Sequence, residues 1–238
     1  MIDVTHLSGG IGAQINGVDP AAELTPSITD AIRAALLEHI VLVFRKQSLP
    51  PAAQLTFTRH FGEPIEHPLK SRPGLREHPQ VMLLENRPGK PGARNDFWHS
   101  DISHEQCPPS VSMLHAIQVP AGRGDTQLCN MYAAYDDLSP GMRAMLAELT
   151  ALHSGEATAR RNNAEATDAL PITAVPPPVS HPVVRTHPET DCNALFVNPF
   201  FYHPARGHDA SGECSAARLS VPARDMAREH LPPSLGNW

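Results

Sequence analysis

Proline limits this chain more than any other residue: 25 of its 238 positions are Pro, about twice the ~5% of an average protein. Each proline fixes φ near −65° and removes a backbone N–H, so it opens or ends helices and stays out of sheet interiors. A bundle of long helices is therefore disfavoured, and short elements joined by turns are expected. Hydrophobic residues make up 41% and charged residues 18%. That is enough apolar material for one sizeable core, in one large domain or two small ones. Lys and Arg number 19 against 25 Asp and Glu, a net charge of −6. This argues against a nucleic-acid binder, which presents a cationic face. The longest apolar run, Ile40–Phe44, falls far short of the ~18 residues of a membrane span. Met1–Thr5 carries neither a basic region nor an apolar stretch, so no signal peptide and no membrane partner are expected. Cys107, Cys129, Cys192 and Cys214 are far apart without a C-x-x-C pair. That spacing fits a reduced, cytoplasmic protein rather than a disulfide scaffold or zinc knuckle.

Local patterns then predict elements. Residues 1–24 are Gly-rich and read as edge strands and turns. Thr25-Pro26 opens a helix with Ile28, Ile32, Ala35 and Leu36 on one face. Ile40–Phe44 reads as a buried strand. A second helix is expected from Pro51 to Phe61, stopped by Gly62. Strands are expected at Val81–Leu84, Val111–Ile117 and Thr126–Cys129. Ser139-Pro140 opens a third helix with Met142, Met145, Leu146 and Leu149 on one face. Residues 154–182, with Pro176-Pro177-Pro178, read as a long loop or lid. Val183–Arg185 and Leu195–Val197 read as a hairpin. Beyond Asn198 the periodicity decays, so 1–198 is expected as the domain and 199–238 as a poorly patterned tail.

The sharpest chemical signal is Phe97-Trp98-His99-Ser100-Asp101. Side chains at i and i+2 of an extended segment point the same way. His99 and Asp101 can thus offer one imidazole nitrogen and one carboxylate oxygen to a single point. That is two-thirds of the 2-His-1-carboxylate facial set that holds Fe(II) with positions left open. A bare His-x-Asp also occurs on loops where it does nothing but solvate the surface. Phe97 and Trp98 would wall such a site or pack in a core.

Further blocks accompany it in order: Ile11–Gly17, Val41–Arg45, His60–Glu63, Arg123-Gly124-Asp125-Thr126, Ala133–Ser139, His181–Pro188 and Leu195–Asn198. With Trp98–Ile102 and Pro108-Pro109, they make residues 5–198 resemble the TauD/TfdA family of Fe(II)- and 2-oxoglutarate-dependent dioxygenases. The resemblance implies a mainly β fold with flanking helices, built on a double-stranded β-helix (jelly-roll) core that is incomplete at the C-terminus. It implies an oxidoreductase that hydroxylates a small organic acid, taurine- or sulfonate-like or related. O₂ and 2-oxoglutarate are consumed, and 2-oxoglutarate leaves as succinate and CO₂. His99 and Asp101 match the iron ligands, and Thr126 the residue contacting the 2-oxoglutarate carboxylate. Asn95 and His67 match substrate-side positions, with Lys70 where the family has a tyrosine. Arg185 and His187 fall in a block taken as structural. Relatives are often homo-oligomers, which leaves a homo-oligomer open for this chain.

The family pattern also holds a distal iron histidine in a W-D-N-R…H context and an arginine for the far carboxylate of 2-oxoglutarate. Neither context is found in this chain. His203, His208 and His230 lie outside any such context, so the third ligand is unassigned. The alternative reading is thus a catalytically impaired, truncated or frame-disrupted member acting as a binding module. A zinc hydrolase is a third option, weakened by the lack of a zinc motif placing a general-base carboxylate.

Overall fold

The computed structural model describes residues 2–7, 9–69, 74–86, 97–122, 124–165 and 170–199. The N-terminal part is a small sheet with a crossover helix. Strands β1 (Asp3–His6) and β2 (Ala13–Asn16) pair antiparallel, and β2 pairs parallel with β3 (Leu42–Val43). Helix α1 (Pro26–His39) makes the crossover, as parallel neighbours require. Thr25 sits at its N-cap in an extended conformation and Pro26 at its first turn, where a missing N–H goes unnoticed. Its buried face carries Ile32, Ala35 and His39. Ile15, Val18, Ile32, Ala35 and Phe57 form the core, with Val4, Ile28, Leu42, Phe44, Phe61 and Met113 packed against it. Burying each large side chain contributes roughly 1.5–3 kcal/mol. Helix α2 (Pro51–Thr58) delivers Phe57, which meets Phe44 and Phe61 edge-on at 5.6 and 5.4 Å. This helix stops three residues before the expected Phe61.

The second part holds α3 (Met131–Asp136), α4 (Pro140–Ala147) and two hairpin-like sheets. Asn130 Oδ1 accepts hydrogen bonds from the N–H groups of Tyr132 and Ala133, capping α3. Ser139 Oγ caps α4 through Met142 N–H, as its position before Pro140 predicts. Strand β4 (Thr150–His153) pairs antiparallel with β5 (Val179–Pro182), and β6 (Val184–Thr186) with β7 (Asn193–Leu195). The expected hairpin at 183–197 is thus present. Helix α5 (Glu156–Glu165) occupies part of the stretch expected as loop. It contributes Ala159 to a small cluster with Leu69 and Ile172.

Three expected strands are not laddered. Val81–Leu84, Val111–Ile117 and Thr126–Cys129 have no strand partner among the described residues. Leu114 and Ile117 are 74% and 77% exposed. Alternating apolar residues mark a face that needs covering, but they do not supply the neighbour that makes a ladder. The Ile40–Phe44 strand shrinks to Leu42–Val43 because Ile40 (φ 68°) and Lys46 (φ 56°) turn the chain at each end. Strands outnumber helices, yet none exceeds four residues while α1 has 14. Within the described residues the three small sheets do not close on one another. No helix among them is long and apolar enough to cross a membrane.

Candidate metal centre

The Phe97–Asp101 segment is non-helical, so the i, i+2 argument holds in three dimensions. His99 Nε2 lies 3.1 Å from Asp101 Oδ1. Nitrogen and oxygen donors bound at about 2.1 Å on adjacent octahedral positions are about 3.0 Å apart. The pair is in direct hydrogen-bond contact, at a separation that two neighbouring ligands of one first-row ion would also have. Each donor is also oriented. His99 Nδ1–H donates to the Phe97 carbonyl at 3.0 Å, which commits Nδ1 and turns Nε2 toward the shared point. Ser112 Oγ–H donates to Asp101 Oδ2 at 2.6 Å, occupying that oxygen while Oδ1 faces His99 Nε2. Phe97 packs on the His99 ring with centroids 5.1 Å apart, and the Arg161 guanidinium of α5 sits 4.5 Å over the Phe97 ring.

The electrostatics follow from this contact. The hydrogen bond to Asp101 raises the His99 pKa above 6.5, with the Phe97 carbonyl assisting and burial opposing. The same bond lowers the Asp101 pKa, helped by Ser112. A metal ion would replace the proton shared along this edge, since the ligating forms are neutral imidazole and carboxylate. Both side chains remain partly open to solvent, giving access to an ion and small ligands.

The other sequence-predicted residues divide. His67 is brought to the centre: burial lowers its pKa while the Asp101 and Glu105 carboxylates pull it upward. Its Nδ1 accepts from Leu69 N–H at 3.3 Å. Thr126 is exposed in an extended stretch after Gly124. Asn95 lies outside the described residues, as do Arg123, Lys70, His203, His208 and His230. No group of three or more His, Cys, Asp or Glu side chains able to hold a metal occurs among the described residues. Sequence reasoning missed Ser112 and Arg161. Neither carries a local signal, because each reaches the centre only through tertiary packing.

The family model described as taurine catabolism dioxygenase TauD, TfdA family matches residues 3–220. An alkylsulfatase from Acinetobacter baylyi is 33% identical over 207 residues, covering 84% of this chain and 64% of the relative. An alpha-ketoglutarate-dependent sulfate ester dioxygenase from Pseudomonas putida is 32% identical over 212 residues, covering 84% and 67%. A crystal structure of a taurine dioxygenase from Burkholderia xenovorans superposes with a TM-score of 0.67 at 33% identity, over 87% of this chain and 67% of that one. The chain thus spans about two thirds of the length of the curated relatives it matches. With the family model matching residues 3–220, the chain belongs to the TauD/TfdA family.

Proposed function

We propose that this protein is an Fe(II)- and 2-oxoglutarate-dependent dioxygenase that hydroxylates a small organic acid of the sulfonate or sulfate-ester type. The observation that carries the reading is the 3.1 Å approach of His99 Nε2 to Asp101 Oδ1 with each partner's other polar atom already engaged. Iron and 2-oxoglutarate, when bound, supply the oxidising chemistry, with O₂ as oxidant and succinate and CO₂ as products. The protein's part is placement. His99 and Asp101 hold the ion, and Ser112 and the Phe97 carbonyl fix their orientation. Thr126 takes the 2-oxoglutarate carboxylate, and His67 and Asn95 face the substrate. Phe97, packed on the His99 ring, walls one side of the site. The substrate class rests on the relatives' names, a sulfate ester dioxygenase, an alkylsulfatase and a taurine dioxygenase. The strands of residues 1–198 belong to a jelly-roll core, with 199–238 as a poorly patterned tail, and the chain works in the cytoplasm. The free thiols of Cys107, Cys129 and Cys192 support that compartment.

A second reading has its own support: the described residues offer His99 and Asp101 but no third clustered ligand. In that reading the chain binds without turning over. One experiment separates the two. Fe(II) and 2-oxoglutarate are added without oxygen, the visible charge-transfer absorption is recorded, and succinate is measured after admitting air. Absorption followed by succinate supports the dioxygenase. Absence of both overturns it and leaves the binding module.

A further inference from the structure

Two sequence blocks, 181–188 and 195–198, have no part in the site as described so far, yet both reach the turn that follows Asp101. We infer that Ser103, His153, His181 and Asn198 form a buried clamp that positions the Asp101-bearing turn, so that these blocks shape the metal centre from behind. The inference deepens the dioxygenase reading, but its geometric half stands without it.

The turn needs holding. Ile102, next to Asp101, sits at φ 52°, a left-handed conformation that β-branched residues avoid. Such a backbone persists only where surrounding contacts over-determine it. Glu105 N–H closes the turn onto the Ile102 carbonyl at 3.1 Å. Two contacts then pin it from outside. Ser103 is 0% exposed, and its Oγ lies 2.9 Å from His153 Nδ1 and 3.3 Å from Asn198 Nδ2. The donors can be counted. Asn198 Nδ2–H donates to Ser103 Oγ, and the same oxygen shares a second hydrogen bond with His153 Nδ1. The Glu105 carbonyl accepts from His181 Nε2–H at 3.0 Å. His153 comes from β4, His181 from β5 and Asn198 from the segment after β7. Phe196 locks these partners together. Its ring stacks on His153 at 5.4 Å and meets His181 edge-on at 5.3 Å, with the Arg185 guanidinium 4.4 Å over it.

The clamp thus grips the turn at Ser103 and at Glu105, on the C-terminal side of the strained Ile102. Asp101 lies just before that strained residue. Released, Ile102 returns to negative φ, and the peptide that orients Asp101 rotates with it. Asp101 Oδ1 then moves off His99 Nε2. His153, His181, Ser103 and Asn198 touch neither the ion site nor its ligands' donor atoms, so they are positioning residues.

The test uses the full chain and two readouts. Amide hydrogen exchange is followed by mass spectrometry over 99–106 and, as a remote reference, over 3–39. Co(II) affinity is measured by calorimetry. Ser103→Ala and Asn198→Ala should each raise exchange over 99–106 at least tenfold while 3–39 stays unchanged. Co(II) affinity should fall by about 10- to 100-fold, the range seen when outer partners of metal ligands are removed. Ser103→Cys, which keeps a hydrogen-bonding group, should stay within threefold of the parent in both. If Ser103→Ala does not fold, Asn198→Ala and Ser103→Cys carry the decision. Exchange and affinity within twofold of the parent in Asn198→Ala overturn the clamp. Exchange rising equally at 3–39 overturns it too, since the network would then serve general stability. A parent chain that binds no Co(II) defeats the metal reading alone, and the exchange comparison still decides the clamp.

Discussion

Acid should destabilise this protein well above the range where carboxylates titrate. Burial lowers the pKa of His153 and His104 from 6.5 to about 4, with neighbouring histidines adding to the effect. Both imidazoles are therefore neutral in the folded chain at pH 5.5, whereas in the unfolded chain they are largely protonated. Between pH 6.5 and 4 the unfolded state binds more protons, so unfolding free energy must fall as pH falls. A gap of about 2.5 pH units corresponds to roughly 3.4 kcal/mol per group; discounting for solvent screening leaves about 2 kcal/mol each. Together that is about 4 kcal/mol, a large share of the 5–15 kcal/mol typical of whole domains. His67, also lowered by burial, adds in the same direction. His99 works oppositely: its raised pKa gives stability that is fully present below pH 6.5 and is lost as pH rises through its folded value. Its contribution thus changes at the upper end of the test window and is constant in the acid part of it. Asp101, lowered, matters only nearer and below its ordinary value of 3.8. Urea unfolding at half-unit steps from pH 7 to 4.5 measures the trend, and the slope gives the proton difference directly. His153→Gln should reduce that slope by about one proton, or roughly 1.4 kcal/mol per pH unit. Stability that is flat across this range, or a slope unchanged in His153→Gln, refutes the argument.

Other outcomes follow from single contacts. Asp101→Ala and His99→Ala should each weaken Co(II) binding by more than the ~10–100-fold typical of outer partners, because each removes a donor atom of the 3.1 Å pair; calorimetry checks this. Ser112→Ala should weaken Co(II) binding by about tenfold with little change in thermal stability, since it frees Asp101 Oδ2 without opening a core. Ile32→Ala, at a position 1% exposed in the N-terminal core, should lower unfolding free energy by about 2–5 kcal/mol in urea titrations. Asn130→Ala should cost about 1 kcal/mol by the same method, from loss of the α3 cap.

The close approach of His99 and Asp101 was legible because their relation is local. An extended backbone puts i and i+2 on one side whatever the rest of the chain does. The helix starts at Pro26 and Pro140 and the 183–197 hairpin are legible for the same reason, since caps and turn residues act within a few positions. The orienting partners of the pair were not legible. Ser112 sits 11 positions beyond Asp101, and the Ser103 bonds to His153 and Asn198 span 50 and 95 positions. No periodicity encodes such meetings. The strands expected at 111–117 and 126–129 fail for a related reason: a strand is completed by its neighbour, and alternation says only which face awaits one.

By itself, then, the sequence determined the short proline-opened elements and the shared direction of the His99 and Asp101 side chains, because those depend on backbone geometry over a few residues. Only the tertiary structure decided that the two donors stand 3.1 Å apart with Nδ1 and Oδ2 already engaged, and that a left-handed Ile102 is held between them and a buried serine. The hold on Ile102 arises from packing β4, β5 and the segment after β7 against one turn, and packing joins residues by distance in space rather than along the chain.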